Sequence, residues 1–168
     1  MTLPNPARSR TITWAMPVLD PAELAGLSGL DYLRRGLGDF RAPIGSLMDF
    51  RPVTFEEGLA VFEGRPAEFH YNPIGSVHGG FAATLLDSAL GCAVHTTLKP
   101  GFGYTTVELK VNYARPLKLS TGLVTATGKV INVGSRIATS EARLVGEDGK
   151  LYAHGTTTCL IFPLGETR

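Results

Sequence analysis

The sequence has few cysteines and no cluster of metal-ligating residues, and this excludes several classes of protein. Cys92 and Cys159 are the only cysteines among 168 residues, and neither belongs to a Cys-x-x-Cys or Cys/His spacing. We interpret them as reduced, buried thiols, which excludes a disulfide framework and fits a cytoplasmic location. The four histidines lack the His-x-His and His-x-x-x-His spacings of metal ligands. The sequence therefore predicts neither a metal ion nor another cofactor.

The sequence also lacks three other features: a large net charge, a long apolar run, and the common nucleotide-binding and serine-hydrolase motifs. Sixteen Lys and Arg against fifteen Asp and Glu leave a formal net charge of +1, so no global field attracts nucleic acid or a membrane surface. No window approaches the ~20 apolar residues of a spanning helix, and the N-terminus lacks the apolar core of a secretion signal. No GxSxG, GxGxxG or P-loop pattern occurs. A soluble protein with no nucleic-acid partner and no membrane partner is expected.

The first 44 residues are predicted to form an N-terminal extension that contains one short helix. Residues 1–20 are polar and rich in proline, which is typical of an arm without regular structure. Asp20 followed by Pro21 has the form of a helix N-cap with a first-turn proline. Leucines then recur at near-helical spacing until Gly36 and Gly38, which predicts an amphipathic helix from Asp20 to Gly38.

Residues 45–168 are predicted to form the main domain, of α+β class. The run 81–98 is apolar around most of a helical circumference, which indicates a buried helix over about 79–97; His95, near its end, is interpreted as a partner of the helix dipole. Alternating and β-branched residues predict strands before and after it, and Asp148-Gly149 predicts a hairpin turn. The predicted strands are two or three within 46–71, the last of them Ala67–Tyr71, and four at about 105–115, 124–133, 137–145 and 151–162. One helix wrapped by a curved antiparallel sheet of five to six strands accounts for this order.

Asp87 is the residue that fits a purely structural helix least well. It lies between apolar neighbours in the middle of the predicted buried helix, where an unpaired carboxylate is costly and aspartate is a poor helix former. One interpretation is a carboxylate held by Thr84 or Ser88, or one that faces a solvent slot. The other is a carboxylate kept in an apolar cleft to activate water.

The loop before this helix is the second candidate feature. It reads Asn72-Pro-Ile-Gly-Ser-Val-His78-Gly79-Gly80, and two glycines at a helix start allow a ligand to approach the backbone closely. Their N–H groups and the positive helix end suit a developing oxyanion. Nine residues separate His78 from Asp87, so the two lie roughly 13.5 Å apart along the helix axis and about 180° apart around it. A site shared between two symmetric copies would bring both features together.

This combination of residues resembles the hot-dog-fold thioesterases of the PaaI-like group. The loop 72–80 with Asp87 resembles their signature, and the segment 105–116 resembles their central strand. Gly134-Ser135-Arg136, the Asp-Gly hairpin and residues 153–158 resemble their closing strands. The resemblance implies a hot-dog fold, a homodimer or homotetramer, and hydrolysis of an acyl-CoA thioester without a cofactor.

The resemblance also implies roles for individual residues. Asp87 matches the catalytic acid, which acts as general base or nucleophile, and Gly79 matches the residue whose backbone N–H polarises the carbonyl. The other positions that match catalytic or substrate-binding residues are Asn72, His78, Thr106, Gly80, Thr105 and Arg136. Strict alternation places Thr105 rather than Thr106 on the apolar face with Val107, so a slip of one residue would exchange the two. Arg136 matches a basic residue near the CoA nucleotide, and the alternative for it is a solvated hairpin residue.

Two other functions stay open at this point. Hot-dog hydratases or dehydratases act on acyl thioesters with an acid and a histidine, and His78 with Asp87 can be interpreted in this way. A non-catalytic acyl-CoA-binding protein is the third possibility. The aspartate on the helix, where a hydratase would carry glutamate, and the intact glycine loop favour the hydrolase.

Overall fold

A computed structural model describes residues 7–16, 26–37 and 42–164. Three α-helices lie within these ranges: α1 (Gly29–Leu37), α2 (Pro43–Met48) and α3 (Gly79–His95). Two single-turn 3₁₀ helices cover Glu68–His70 and Leu119–Thr121. The six strands are β1 (Phe50–Glu56), β2 (Leu59–Gly64), β3 (Phe102–Tyr113), β4 (Val124–Val133), β5 (Ile137–Gly146) and β6 (Leu151–Pro163).

The strands form one antiparallel sheet that packs against α3. Their order is β1-β2-β4-β5-β6-β3, so β1 and β3 are the edges. The helix buries nine of its side-chain positions, and Leu85, Leu86 and Leu90 are fully buried. The prediction of an α+β fold with one long buried helix and an antiparallel sheet of five to six strands is therefore confirmed, and the sheet has six. No helix among the described residues is long and apolar enough to cross a membrane.

Small residues bring the helix backbone close to the sheet. A Cβ atom on Gly128 of β4 would lie 2.3 Å from the Ala89 carbonyl oxygen, so only glycine fits there. The buried Ser140 hydroxyl on β5 donates to the Leu90 carbonyl at 3.0 Å. Buried polar groups need such partners, and these contacts fix α3 against the middle of the sheet.

Three local predictions are corrected. Ala67–Tyr71 is not a strand, because the Ala67 N–H donates to His70 Nδ1 at 3.0 Å and the chain closes into the 3₁₀ turn Glu68–His70. A short helix, α2, begins at Pro43, where the fixed φ of proline suits a first turn. The expected domain boundary at 44/45 falls within this helix and stays a prediction. Gly36 continues α1 rather than ending it, while the predicted helix start at Asp20 and the stop at Gly38 lie outside the described residues.

The helix α1 packs on the C-terminal end of α3. The Gly29 N–H donates to the Leu98 carbonyl at 2.9 Å, and the Tyr32 ring lies 5.0 Å from the His95 ring. Burial lowers the pKa of His95 to about 4, so this side chain is neutral near pH 7. The interpretation of His95 as a charged partner of the helix dipole is therefore wrong, and ring contacts with Tyr32 and Tyr104 hold it instead.

Candidate active site

Asp87 is held by a threonine from the neighbouring strand. The Thr106 hydroxyl on β3 donates to Asp87 Oδ1 at 3.2 Å. The hydroxyls of Thr84 and Ser88 instead donate to carbonyl oxygens one turn earlier in α3, at 2.8 and 2.9 Å. The interpretation in which Thr84 or Ser88 holds the carboxylate is therefore wrong.

The second oxygen of Asp87 is available to a ligand. Asp87 is half-buried, and among the described residues no donor contacts its Oδ2 atom. Among the described residues, His70 Nε2 is the only side-chain nitrogen or oxygen that is buried without a hydrogen-bond partner. Because Asp87 Oδ2 has no partner either, it must be accessible to solvent. One fixed oxygen and one free oxygen suit a carboxylate that takes a proton from water.

A bulge in β3 decides which threonine faces Asp87. The pairing of β3 with β6 shifts between Thr106 and Glu108, so Val107 is an extra residue in the ladder. Thr106 consequently shares the inner face with Leu109 and Val111, whereas Thr105 and Val107 are exposed. The placement of Thr105 on the inner face, which alternation predicted, is wrong because strict alternation fails across a bulge.

The two cysteines lie near Asp87 as neutral thiols. Both are free, and burial, with the Asp87 charge as a smaller cause, raises the pKa of Cys92 to about 12. Burial also raises the pKa of Cys159 above its usual value. Tyr104 lies beside them, and burial raises the pKa of its hydroxyl well above the ordinary range. Neither thiol is therefore activated as a nucleophile.

Asn72 folds the loop that precedes α3. Its Oδ1 atom accepts from the Ile74 N–H at 3.1 Å, and its Nδ2 atom donates to the Ser76 hydroxyl at 3.1 Å. The Asn72 N–H also donates to the Ser76 carbonyl at 2.8 Å. These contacts form the Asx turn that such a side chain favours. The structure thus gives Asn72 a role in loop shape, and its predicted contact with a thioester carbonyl stays a prediction.

His78 caps α3 and makes the backbone amides of Gly79 and Gly80 different, since it accepts a hydrogen bond from only one of them. Its Nδ1 atom accepts from the Gly80 N–H at 2.9 Å, so this amide already has a partner, and its predicted contact with an oxyanion stays a prediction. The Gly79 N–H has no acceptor among the described residues. An unpaired N–H at the first turn of a helix is a ready hydrogen-bond donor for an anionic oxygen.

Tyr113, which sequence reasoning did not assign to the site, fixes the position of Gly79. Its hydroxyl donates to the Gly79 carbonyl at 3.2 Å, and a Cβ atom on Gly79 would lie 2.9 Å from the tyrosine ring. A cavity of about 460 Å³ adjoins this amide, and Arg115 lies in its wall. No sequence signal links Tyr113 to Gly79, because 34 residues separate them.

The carboxylate and the free amide are well separated along the helix and the strand that position them. Eight residues along α3 place Gly79 about 12 Å from Asp87. On β3, Thr106 and Tyr113 are about 23 Å apart. Arg136 lies in the exposed β4–β5 turn. The next residue, Ile137, pairs with Leu160, and Leu160 pairs with Thr105, so Arg136 lies at the same end of the sheet as Asp87.

The fold and these residues define a class of protein. One long helix wrapped by an antiparallel sheet, with a hydroxyl-bound carboxylate on that helix, is the hot-dog arrangement. The family model described as thioesterase superfamily matches residues 74–153, which contain both Gly79 and Asp87. The chain belongs to the thioesterase superfamily, and it is a thioester hydrolase.

Individual relatives agree with this assignment. A putative esterase of Caenorhabditis elegans is 34% identical over 116 residues, which cover 68% of each chain. The human protein named acyl-coenzyme A thioesterase 13 is 33% identical over 107 residues, covering 63% of this chain and 75% of that protein. Among solved structures, a mutant of the phenylacetic acid degradation protein PaaI from Thermus thermophilus has a TM-score of 0.64 at 31% identity, covering 71% of this chain and 98% of that one.

Proposed function

We propose that this protein hydrolyses acyl-CoA thioesters at a site that two copies of the chain share. The observation that carries the proposal is the Asp87 carboxylate, fixed by Thr106 on one oxygen and open on the other. The likeness to proteins named acyl-coenzyme A thioesterase supports CoA as the thiol. No cofactor takes part, and the free thiols fit the reducing conditions of the cytoplasm.

The reaction needs one proton acceptor and one oxyanion donor. A water molecule bound to Asp87 Oδ2 loses a proton to the carboxylate as its oxygen attacks the thioester carbonyl carbon. The carbonyl oxygen becomes negative and accepts from the Gly79 N–H. The tetrahedral intermediate then collapses with cleavage of the carbon–sulfur bond, and the protonated Asp87 returns its proton to the leaving thiolate. The products are the free acid and CoA.

A second copy of the chain completes this site. The strand β3 is an edge strand 12 residues long, and its exposed residues include Val107 and Tyr113, at 56% and 57% exposure. A long edge with apolar side chains favours pairing with another strand. If β3 pairs with itself about a two-fold axis near its middle, the Tyr113 end of one copy meets the Thr106 end of the other. The Gly79 amide of one copy then faces Asp87 of its neighbour, in a homodimer or a tetramer built from two dimers.

Arg136 is proposed to contact the phosphates of CoA. It is exposed, lies at the Asp87 end of the sheet, and is held through its backbone, whose carbonyl accepts from the Ile161 N–H at 2.8 Å. A guanidinium in this place suits a phosphate group. The main domain, residues 45–168, carries every part of this proposed site, and residues 1–44 are proposed as an extension to it.

The geometry disfavours the hydratase alternative. That reaction needs an acid and a histidine base at one reaction centre, but the His78 Nδ1 atom is occupied by the Gly80 N–H. In the proposed arrangement His78 shapes the loop rather than moving a proton.

A thiol-release assay tests the proposed function. Purified protein is incubated with short, medium, long and aromatic acyl-CoAs, and free CoA is measured with a thiol reagent. We expect steady release with at least one class, with kcat/KM in the range of ordinary enzymes, above about 10⁴ M⁻¹s⁻¹. Release no faster than from acyl-CoA in buffer, for every class, would contradict the proposal. Enoyl-CoA hydration, followed by ultraviolet absorbance, tests the hydratase in the same samples.

A further inference from the structure

The face of α3 that carries Asp87 continues toward the C-terminal end of the helix without another charge. Ser88, Cys92 and His95 recur at four- and three-residue intervals, Asp87 adjoins Ser88, and all four are half-buried, so the sheet covers this face incompletely. His95 is neutral, because burial lowers its pKa to about 4. A group that extends from Asp87 along this face therefore meets only uncharged side chains.

This face ends against α1. The Gly29 N–H bond to the Leu98 carbonyl ties the start of α1 to the chain just beyond α3. A Cβ atom on Gly29 would lie 1.8 Å from the His95 carbonyl oxygen, so the two segments are in direct backbone contact. The Tyr32 ring then covers the His95 ring at 5.0 Å. An acyl group that lay along this half-buried face would therefore end against α1, whereas the charged nucleotide of CoA must leave toward solvent.

Tyr104 packs on α3 one helical turn beyond Asp87. Its side chain projects from β3 onto Gly91, where an added Cβ atom would lie 2.7 Å from the tyrosine oxygen. The hydroxyl also contacts the Cys92 thiol. The tyrosine thus fills the space that a side chain at position 91 would occupy. Because of this contact, position 91 must be glycine.

A separate small cavity lies behind Tyr104. Its volume is about 200 Å³, and its wall includes Leu27, Tyr32, Phe162 and Tyr104 itself. Most of these side chains are apolar, and α1 supplies one side. The tyrosine side chain therefore lies between Gly91, one turn beyond Asp87, and an apolar cavity that is already present.

We propose that Tyr104 is a specificity-determining residue that closes the acyl pocket and restricts the enzyme to short, uncharged acyl groups. The inference rests on the proposed function, because it takes Asp87 as the place where the thioester carbonyl binds. Four residues of α3 separate Asp87 from Gly91, which is about 6 Å. An extended chain advances about 1.2 Å per bond, so roughly five bonds fit before the tyrosine.

The test compares acyl-chain preference in the wild-type enzyme and two Tyr104 variants. Acetyl-, butanoyl-, hexanoyl-, octanoyl- and decanoyl-CoA are assayed for thiol release, and kcat/KM is plotted against chain length. For the wild type we expect kcat/KM to fall at least tenfold between butanoyl- and octanoyl-CoA. Tyr104→Ala, which removes the side chain between Gly91 and the 200 Å³ cavity, should reduce or reverse this fall. Tyr104→Phe keeps the ring and should keep the wild-type profile.

A third variant and a binding measurement distinguish failure of the Tyr104 proposal from failure of the proposed hydrolysis. Tyr104→Leu repeats the test if the alanine variant does not fold, because leucine leaves a smaller cavity. Binding of non-hydrolysable S-alkyl-CoA thioethers, measured by calorimetry, gives the same chain-length profile without turnover. A wild type that binds short thioethers best but releases no thiol would overturn the proposed hydrolysis and leave the pocket assignment standing. An active wild type whose chain-length profile is unchanged in Tyr104→Ala and Tyr104→Leu would overturn the role of Tyr104.

Discussion

Two inactive variants should restore activity when they are combined, because the proposed site takes one part from each copy. Asp87→Asn removes the proton acceptor. Gly79→Pro removes the free N–H, and the local backbone accepts proline: Gly79 is the first helical residue, whose N–H has no partner within the helix. His78 has φ −60 and ψ 136, which is the conformation favoured before proline.

The expected magnitude follows from symmetry. Equal amounts of the two chains, co-refolded at random, give about half heterodimers, and each heterodimer has one intact site and one that lacks both groups. The mixture should therefore recover about a quarter of wild-type activity, and a heterodimer purified by two different tags about half. Each variant alone should fall by roughly two orders of magnitude or more, as removal of a general base or an oxyanion donor does.

The assay is thiol release at fixed total protein, with Gly79→Ala as the matched control. Alanine keeps the N–H but adds a Cβ atom 2.9 Å from the Tyr113 ring, so it reports the steric effect alone. A mixture that stays as inactive as its two components, with heterodimers present by mass spectrometry, would refute a shared site. The carboxylate and the amide would then have to act within one chain despite their separation of about 12 Å.

Three further predictions follow from single contacts. Thr106→Val should lower kcat by about 10- to 100-fold, the range for a lost hydrogen bond to a charged group, whereas Thr105→Val on the outer face should have no such effect; steady-state kinetics of both variants decide this. Unfolding free energy should fall by up to about 3 kcal/mol between pH 6.5 and 4, because the unfolded chain binds a proton at His95 that the folded one does not. Denaturant titrations should show a smaller fall in His95→Phe. Gly128→Ala should destabilise the fold by about 1–3 kcal/mol or more, since its Cβ atom would overlap the α3 backbone.

The helix and most strands were predictable because their patterns are local. The apolar run 81–98 marks α3, and alternating or β-branched residues mark β3 to β6 within one or a few residues of their observed ends. Asp87 could be singled out as a candidate site residue because an unpaired carboxylate in such an apolar run is costly. Gly79 could be singled out as a candidate oxyanion donor because paired glycines at a helix start leave a backbone amide accessible.

Features that depend on non-local contacts or on the conformation of one side chain were not predictable. The bulge at Val107 arises from the pairing of β3 with β6, and without it alternation selects Thr105 instead of Thr106. The occupation of the Gly80 N–H depends on the side-chain conformation of His78, since the cap bond joins its Nδ1 atom to that amide. The neutral state of His95 depends on its burial and on α1, which packs on it from a segment about 60 residues earlier in the chain.

The central claim, that Asp87 activates water for thioester hydrolysis, is tested most directly by the turnover number of Asp87→Asn. Asparagine keeps the shape of the side chain and can still accept from the Thr106 hydroxyl, but it cannot take a proton. With the best acyl-CoA of the panel, we expect kcat to fall roughly 10²–10⁴-fold, with KM and melting temperature close to those of the wild type. A folded Asp87→Asn protein that turns over this substrate at nearly the wild-type rate would contradict the account.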